Sequence, residues 1–469
     1  MSETLWTAAQ AAAAIDGEAQ GDWAVGGASF DTRELRNGDL FIALKGESRD
    51  GHDFVAQALE AGAGAALVER TPPGLGAEAP LLFSPVDTLK ALERLGAAGR
   101  ARARHMTAIA VTGSVGKTST KDMLGAMLAE QGATHAAVKS FNNHLGVPLT
   151  LSRTPPTTRF GVYEIGMNAP GEIAPLSRMV RPHVAMITIV GPVHIEAFEA
   201  GIEGVADEKA SIFEGLEEDG VAVLNRDDPQ FERLAARAHE CGASRVLEFG
   251  ERGRHARLIS VKLSAAATEV EAELNGAPLQ FSIGAPGRHF AMNALGALLS
   301  IEAVGGDPAA AARRLASWGA VDGRGSRMAL DVPGGEILLV DESYNANPSS
   351  LRAAIETFAE TAPPAVDGRR IAFLTDMLEL GPQAERFHAD IAQIAATRKL
   401  DLVHTAGPLM AALHDALPDQ VRGTHVETAE ALAELALGVV QAGDAVMVKG
   451  SLGSKARLIA DALKAPRDV

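Results

Sequence analysis

Within the stretch VTGSVGKTST at 111–120, two glycines, a lysine and a threonine stand in an order suited to holding phosphate. An apolar run, AIAV, leads in and a helix-like segment, KDMLGAMLAEQG, leads out, so the glycines lie where a strand turns into a helix. At such a turn Gly113, Ser114, Val115 and Gly116 direct backbone amides toward an anion. Lys117 adds positive charge beside the terminal phosphates, Thr118 offers a hydroxyl to Mg2+, and Ser119 belongs to the same set. The string reads G-x-x-G-K-T rather than the longer G-x-x-x-x-G-K-[ST], because Val111 stands five positions before Gly116. A chance glycine turn is the competing explanation. The strand before it and the amphipathic segment after it argue instead for ATP or GTP.

A bound nucleotide needs Mg2+ and oxygen ligands that offset charge on the transferring phosphoryl group. In open α/β sheets those ligands come from the carboxyl ends of strands. Glu164 ends the strand candidate GVYEIG and His194 follows VAMITIVGPV. Taken alone, Glu164 reads first as a solvated or capping carboxylate, and a lone His is more often packed than ligating. Lys209, in GVADEKASIFEGL, has the default of a solvent-facing lysine paired with a nearby acid. That default fails only if the helix turns Lys209 into the metal crevice. There a neutral amine would be favoured and would take up CO2 as a carbamate, replacing a repulsive cation with an oxygen ligand.

These residues require a strand–turn–helix framework, and the pattern supplies one in three blocks. Residues 1–105 hold short strand candidates, GDLFIAL, GAGAALVE and LLFSPVD, the surface loop RTPPGLGAEAP, and a closing helix that begins at Asp87. Residues 106–319 alternate TAIAVTG, RFGVYEIG, VAMITIV and VAVLNRD with helices, the pattern of a mainly parallel sheet. From about 244 to 283 VLEFG, RLISVKL, ATEVEAEL and APLQFSI follow one another without helices, which predicts an antiparallel addition. Helices over HFAMNALGALLSIEAVG and PAAAARRLASW, the second with Asp307 as N-cap and Pro308 in its first turn, close this block. After the hinge GAVDGRGSR, residues 320–469 supply EILLVDES, RRIAFLTDM, LDLVHTAG and AVMVKGS with helices between, a Rossmann-like domain. The expected fold is thus α/β with three domains, the central one a P-loop sheet.

Composition narrows the function. A chain of 469 residues exceeds one core, and 46% hydrophobic content with 4% aromatics describes a helix-rich globular enzyme. A net charge of −17 argues against a nucleic-acid surface. Cys241 is the only cysteine, which excludes an internal disulfide and suits a packed thiol. With no signal-like segment and no bilayer-spanning run, the expectation is a cytoplasmic protein without a membrane partner. No coiled-coil seam calls for assembly, and three mobile domains work as a monomer.

The motifs VTGSVGKTST, VYEIGMNAPGEI, GPVHIEAF, DEKASIF, GRHFAMNALGAL, DGRG and DESYNANPSSLRAAI occur in the order found in the Mur ligases, and this resemblance covers essentially the whole chain. FDTRELRNGDLFIALKGESRDGHDF, YNANP and DMLELG resemble the branch that joins D-alanyl-D-alanine to UDP-N-acetylmuramoyl-tripeptide in peptidoglycan precursor synthesis. No DNPR-like string of the branch that adds the third peptide residue is present. The resemblance implies that ATP phosphorylates the tripeptide carboxylate and that the dipeptide amine then attacks the acyl phosphate. It implies that Lys117 holds the β and γ phosphates, that Thr118 and Glu164 bind one Mg2+, and that His194 with carbamylated Lys209 binds a second. Asn293 would lie at the adenine side, and Arg324 and Asp341 would complete the nucleotide site on closure. Asp31, Thr32, Arg33, Gly46, Asp50, Gly51 and His52 would serve the uridine-nucleotide pocket of the first domain. Asn142 and Asn143 would approach the substrate between domains, while Tyr344, Asn345 and Asn347 would face the dipeptide. On their own residues, DTR and GDLF read as a turn and a strand, and YNANP as a turn and helix cap.

Departures from the family pattern are Glu342 where a second Asp is expected, Thr375 in place of Gly, and KGSLGSKAR without an acidic end. The roles of 449–455 stay open. A different amide ligase of the family, and a nucleotide-binding regulator without chemistry, remain the alternatives. Because the site is split across two hinges, the ligand-free chain is expected to be open, with the third domain swung away.

Overall fold

The computed structural model describes residues 4–46, 48–394 and 397–465. Three main sheets carry a mixed α/β fold. In the first, the strands Gly27–Ser29, Asp39–Ile42, Ala65–Val68 and Leu81–Phe83 run parallel, and Glu18–Gln20 joins antiparallel at the edge. The three expected strands are its parallel interior, while the edge strands of three residues each are too short to show a period. Asp87 caps the helix Thr88–Arg102 by accepting from the Lys90 amide at 2.8 Å.

The nine-stranded central sheet is parallel from Thr134–Ala136 through Phe160–Glu164, Thr107–Thr112, Val184–Ile187 and Val221–Asn225 to Arg245–Gly250. Alternate residues of Thr107–Thr112 enter opposite cores, Ile109 and Val111 one and Ala108 and Ala110 the other. Burial on both faces explains its unbroken apolar run. VLEFG departs from expectation. It belongs to the parallel part, because the helix Phe231–Glu240 supplies the crossover that a parallel partner for Val221–Asn225 requires. Ala256–Leu263 also pairs parallel, with Phe249 and Gly250, so the antiparallel addition begins only beyond it, with Thr268–Leu274 and Ala277–Ile283. In the first of these, Thr268, Val270 and Ala272 are buried and Glu269 and Glu271 exposed, the alternation of a sheet with one wet face.

The third sheet has the spatial order Ser326–Val332, Gly335–Glu342, Ala445–Lys449, Arg370–Thr375, Leu402–Ala406 and Arg422–Val426, parallel except for its first pair. The expected hinge therefore runs straight into a hairpin strand, Ser326–Val332, that the sequence pattern did not reveal. Among the described residues no helix is long and apolar enough to cross a membrane.

The three sheets are packed against one another rather than splayed, contrary to the open arrangement expected. Arg324 of the hinge donates to Ser140 Oγ at 3.0 Å, Arg327 donates to the Ala265 carbonyl at 3.0 Å, and Glu379 meets His194. These polar contacts hold the third sheet over the carboxyl edge of the second. On the other side the helix Thr88–Arg102 lies backbone-to-backbone on the helix Gly146–Ser152. A Cβ on Gly99 would stand 2.2 Å from the Leu151 carbonyl oxygen, and one on Gly96 2.8 Å from that of Pro148. Gly99→Ala is expected to destabilise the chain by about 1–3 kcal/mol, as overpacking of a closed interface does. Urea unfolding of the two proteins measures this, and an unchanged midpoint would mean that the two helices separate freely.

Candidate active site

The strand Thr107–Thr112 ends at the middle of the central sheet, and its chain turns at Gly113 (φ 147°) and Gly116 (φ 84°) into the helix Lys117–Ala129. Both glycines are required by close approach as well as by φ. A Cβ on Gly113 would lie 1.9 Å from Thr188 Oγ1, and one on Gly116 2.7 Å from Asn293 Nδ2. Thr188, at the end of the neighbouring strand, fixes the loop by donating to the Val115 carbonyl at 2.6 Å. Ser114 Oγ lies 2.9 Å from both the amide and the carbonyl of Gly191. Lys117 folds back to donate to the Gly113 carbonyl at 2.6 Å, and burial pushes its pKa down. The helix N-terminus and loop amides thus form the expected anion cradle.

Glu164, only 1% exposed, is not the solvated carboxylate that its sequence context allowed. Its Oε2 accepts from Thr118 Oγ1 at 2.9 Å and its Oε1 from Asn142 Nδ2 at 2.7 Å. Ser140 Oγ bridges onward, 2.9 Å from Thr118 Oγ1 and 3.0 Å from Arg324 Nη2. Thr118 and Glu164 therefore offer adjacent hard oxygens, the donor type that Mg2+ prefers. Asn143 is occupied differently, its Oδ1 accepting from the Leu145 and Gly146 amides at the start of the helix Gly146–Ser152.

The DEK triplet divides its work. Asp207 pairs with Arg233, and Glu208 accepts from the amides of Gly171 and Ile173 at 2.7 and 2.8 Å. Lys209 points inward and is 2% exposed, so the solvent-facing default does not hold. Burial drives its pKa well below the ordinary lysine range, and the charge of Lys117 adds to the effect. His194 is also lowered, first by burial, with Glu379 opposing and Lys117 and Lys209 reinforcing.

The third sheet closes the site. A cavity of about 690 Å3 is lined by the phosphate loop, Glu164, His194, Asn142, Asn143, Asn293, Arg324, Tyr344, Asn345 and Asn347. The Arg324 guanidinium stands 4.0 Å from the centre of the Tyr344 ring. Asn347 also caps the helix Pro348–Thr361, accepting from the Ser350 amide at 2.9 Å. Lys449 and Ser451 buttress this loop. Lys449 Nζ donates to Glu342 Oε2 at 3.1 Å and to the Asn345 carbonyl at 3.0 Å, and Ser451 Oγ donates to the Ala346 carbonyl at 3.1 Å. Two of the departures from pattern thus find partners: Glu342 holds Lys449, and Thr375 Oγ1 meets Ser454 Oγ at 2.7 Å.

Asp341 is not brought to the cavity, contrary to its expected place in the nucleotide site. It is buried and accepts from Lys464 Nζ at 2.6 Å and from the Ser343 amide at 2.9 Å. Lys209 also stands outside the lining. The first-block candidates form a separate group at the carboxyl ends of their own parallel strands. Asp31 binds Arg33 through Nε and Nη2 at 2.9 and 2.6 Å, with Thr32 in the turn between them. Asp50 accepts from Arg70 Nη2 at 2.7 Å, from the His52 amide at 3.0 Å and from the His52 ring at 2.7 Å, which holds its carboxyl far below the usual range. His52 Nε2 accepts from the Glu69 amide at 2.9 Å. Gly51 has no room for a Cβ, which would meet the Leu44 carbonyl oxygen at 2.6 Å, while Gly46 donates to the Arg49 carbonyl at 2.9 Å. Thr188, Ser140, Arg70 and Glu379 were missed. Thr188 and Glu379 lie just beyond strand ends and Ser140 two residues before Asn142, positions that single them out once a crevice is suspected.

Models of the Mur ligase family match three stretches: the catalytic domain at residues 25–98, the middle domain at 111–301 and the glutamate ligase domain at 326–452. The UDP-N-acetylmuramoyl-tripeptide–D-alanyl-D-alanine ligase of Bacillus subtilis (strain 168) is 34% identical over 444 residues, 94% of this chain and 93% of that protein. Among solved structures, a crystal structure of MurF from Acinetobacter baumannii superposes with a TM-score of 0.81 at 28% identity, covering 98% of this chain and 99% of that one. MurF ligase from Thermotoga maritima in complex with ADP gives 0.73 at 25% identity, covering 93% and 97%.

Burial of Lys209 has a measurable consequence. Between its depressed pKa and the ordinary 10.5, the unfolded chain holds one more proton at this position than the folded chain. Unfolding free energy should therefore rise with pH across that window, by about 1.4 kcal/mol per pH unit, and Lys209→Met should remove this contribution. Urea unfolding in CO2-free buffer between about pH 7 and 9 measures both slopes. Equal slopes would mean that Lys209 stays charged in the folded chain.

Proposed function

The chain belongs to the Mur ligase family, and within it we propose that the enzyme joins D-alanyl-D-alanine to UDP-N-acetylmuramoyl-tripeptide, spending ATP and releasing ADP and phosphate. The observation that carries this reading is the single cavity lined jointly by the phosphate loop and Glu164 of the central sheet and by the YNANP loop of the third. A donor for phosphoryl transfer and an acceptor amine need one enclosed space, because an acyl phosphate left in water hydrolyses.

On this reading the blocks 1–105, 106–319 and 320–469 hold the uridine nucleotide, ATP and the dipeptide respectively. The tripeptide carboxylate is a poor electrophile until a γ-phosphoryl group converts one of its oxygens into a leaving group. The loop amides and Lys117 hold the phosphates while the carboxylate attacks, and Arg324 meets the developing charge from the hinge side. The amine of D-alanyl-D-alanine, oriented by Tyr344 and Asn345, then attacks the acyl carbon, expelling phosphate and losing a proton as the amide forms. Mg2+, held by Thr118 and Glu164, supplies charge neutralisation on the phosphates when bound. His194, with Lys209 as a carbamate reaching it from behind the cavity wall, would hold a second ion. The buried neutral amine of Lys209 adds to CO2, giving a carbamate and a proton, and so turns a cation into an oxygen ligand. Asn293, packed against Gly116, borders the nucleotide. The enzyme works as a cytoplasmic monomer.

Phosphate release from ATP is measured with UDP-N-acetylmuramoyl-tripeptide alone, with D-alanyl-D-alanine alone and with both, alongside the product mass. Release that requires both, with a pentapeptide product, is the expected result. Lys209→Ala should abolish release, and acetate should restore part of it by filling the place of the carbamate. Release with a different amino acid or peptide, or none under any combination, would overturn the assignment.

A further inference from the structure

Two loops from different sheets meet at one edge of the cavity, and each places a non-glycine residue in the left-handed backbone region at the point of contact. In the loop after the strand Val184–Ile187, His194 has φ 55°. In the loop after Arg370–Thr375, Glu379 has φ 61°. Such residues are uncommon, and at functional sites they hold a side chain where relaxed backbone would not. The Glu379 carboxylate engages Nδ1 of His194, whose side chain is 20% exposed against 50% for Glu379. Gly381 follows with φ 63°, and a Cβ there would come within 3.5 Å of Glu196 Cβ, so the Glu379 loop rests on the short turn Ile195–Ala197. Both His194 and Glu379 line the cavity.

The chemistry of imidazole makes this contact directional. A carboxylate that accepts a hydrogen bond from Nδ1–H keeps the proton on that nitrogen and leaves the lone pair on Nε2, and a carboxylate behind a ligating histidine fixes both its tautomer and its rotation. Here the histidine belongs to the central sheet and the carboxylate to the third, so the pair exists only when the two are docked. We propose that Glu379 is a positioning residue that orients His194 toward the second divalent cation upon docking, so that this cation site is completed by closure. The inference rests on the reading of His194 as a metal-binding side chain. A plain latch between the sheets would use the same contact without affecting any ion.

The test is Mn2+ binding to the full-length protein loaded with ADP, read from the electron paramagnetic resonance signal of free Mn2+. It compares the unaltered chain with Glu379→Ala, Glu379→Gln, His194→Ala and the double variant. The expected result is that Glu379→Ala weakens one class of Mn2+ site by about 10–100-fold and leaves the other unchanged. Glu379→Gln, which keeps an acceptor oxygen, should fall between, and the double variant should be no weaker than His194→Ala alone. ADP affinity measured without metal should be the same in all five proteins. If His194→Ala weakens Mn2+ binding and Glu379→Ala does not, the positioning role is overturned and the contact is only a latch. If His194→Ala leaves Mn2+ binding intact, the reading of His194 as a ligand fails first and the inference falls with it.

Discussion

The site depends on a buried carboxylate and the groups that satisfy it. Glu164 lies at the carboxyl end of a central strand, and a polar group buried in such a place is tolerated only where hydrogen bonds replace lost water. Thr118 and Asn142 provide them, and Ser140 carries the chain of contacts from Thr118 to Arg324. Four segments far apart in sequence are thereby held together: the start of the phosphate-loop helix, the SFNN loop, the strand end and the hinge. Remove the carboxylate and each of the others loses a reason for its position.

The second constraint is the closeness of the loop to its neighbours. Gly113 sits against Thr188 and Gly116 against Asn293 at distances that admit no side chain. The loop is therefore shaped before any anion arrives, which suits catalysis by positioning and electrostatic preorganisation. The third sheet adds its own rigid wall. The YNANP loop ends in Asn347, the cap of the following helix, is buttressed by Lys449 and Ser451, and carries Tyr344 beneath the Arg324 guanidinium. One cavity thus joins groups from two sheets, which places the two halves of the reaction within reach of each other.

What could be read from the sequence was what local geometry dictates. The phosphate loop showed itself because its glycines, lysine and threonine are adjacent and their demands are on the backbone. Asp87, Asp307 and Pro308 marked helix starts for the same reason. The resemblance to the Mur ligases added the residues that no spacing could supply, among them Asn293, Arg324 and Tyr344, and the cavity gathers all three. Thr188, Ser140 and Glu379 stayed hidden because their partners lie 73, 184 and 185 positions away, where no periodicity links them. Asp341 misled, since a carboxylate at a strand end fits a ligand and a structural ion pair equally well, and only Lys464 in the last helix decides between them. VLEFG was assigned to the wrong part of the sheet because its crossover helix precedes the stretch in which helices were found wanting.

The central claim is that one cavity carries a carboxylate through an acyl phosphate before the amide forms. Isotope transfer tests it directly. With both oxygens of the tripeptide's terminal carboxylate labelled as 18O, turnover with ATP and D-alanyl-D-alanine should release phosphate containing one 18O, measured by mass spectrometry or by the 31P shift. Phosphate that carries no label, formed alongside pentapeptide, would contradict the account, because it would mean that the carboxylate oxygen never became bonded to phosphorus.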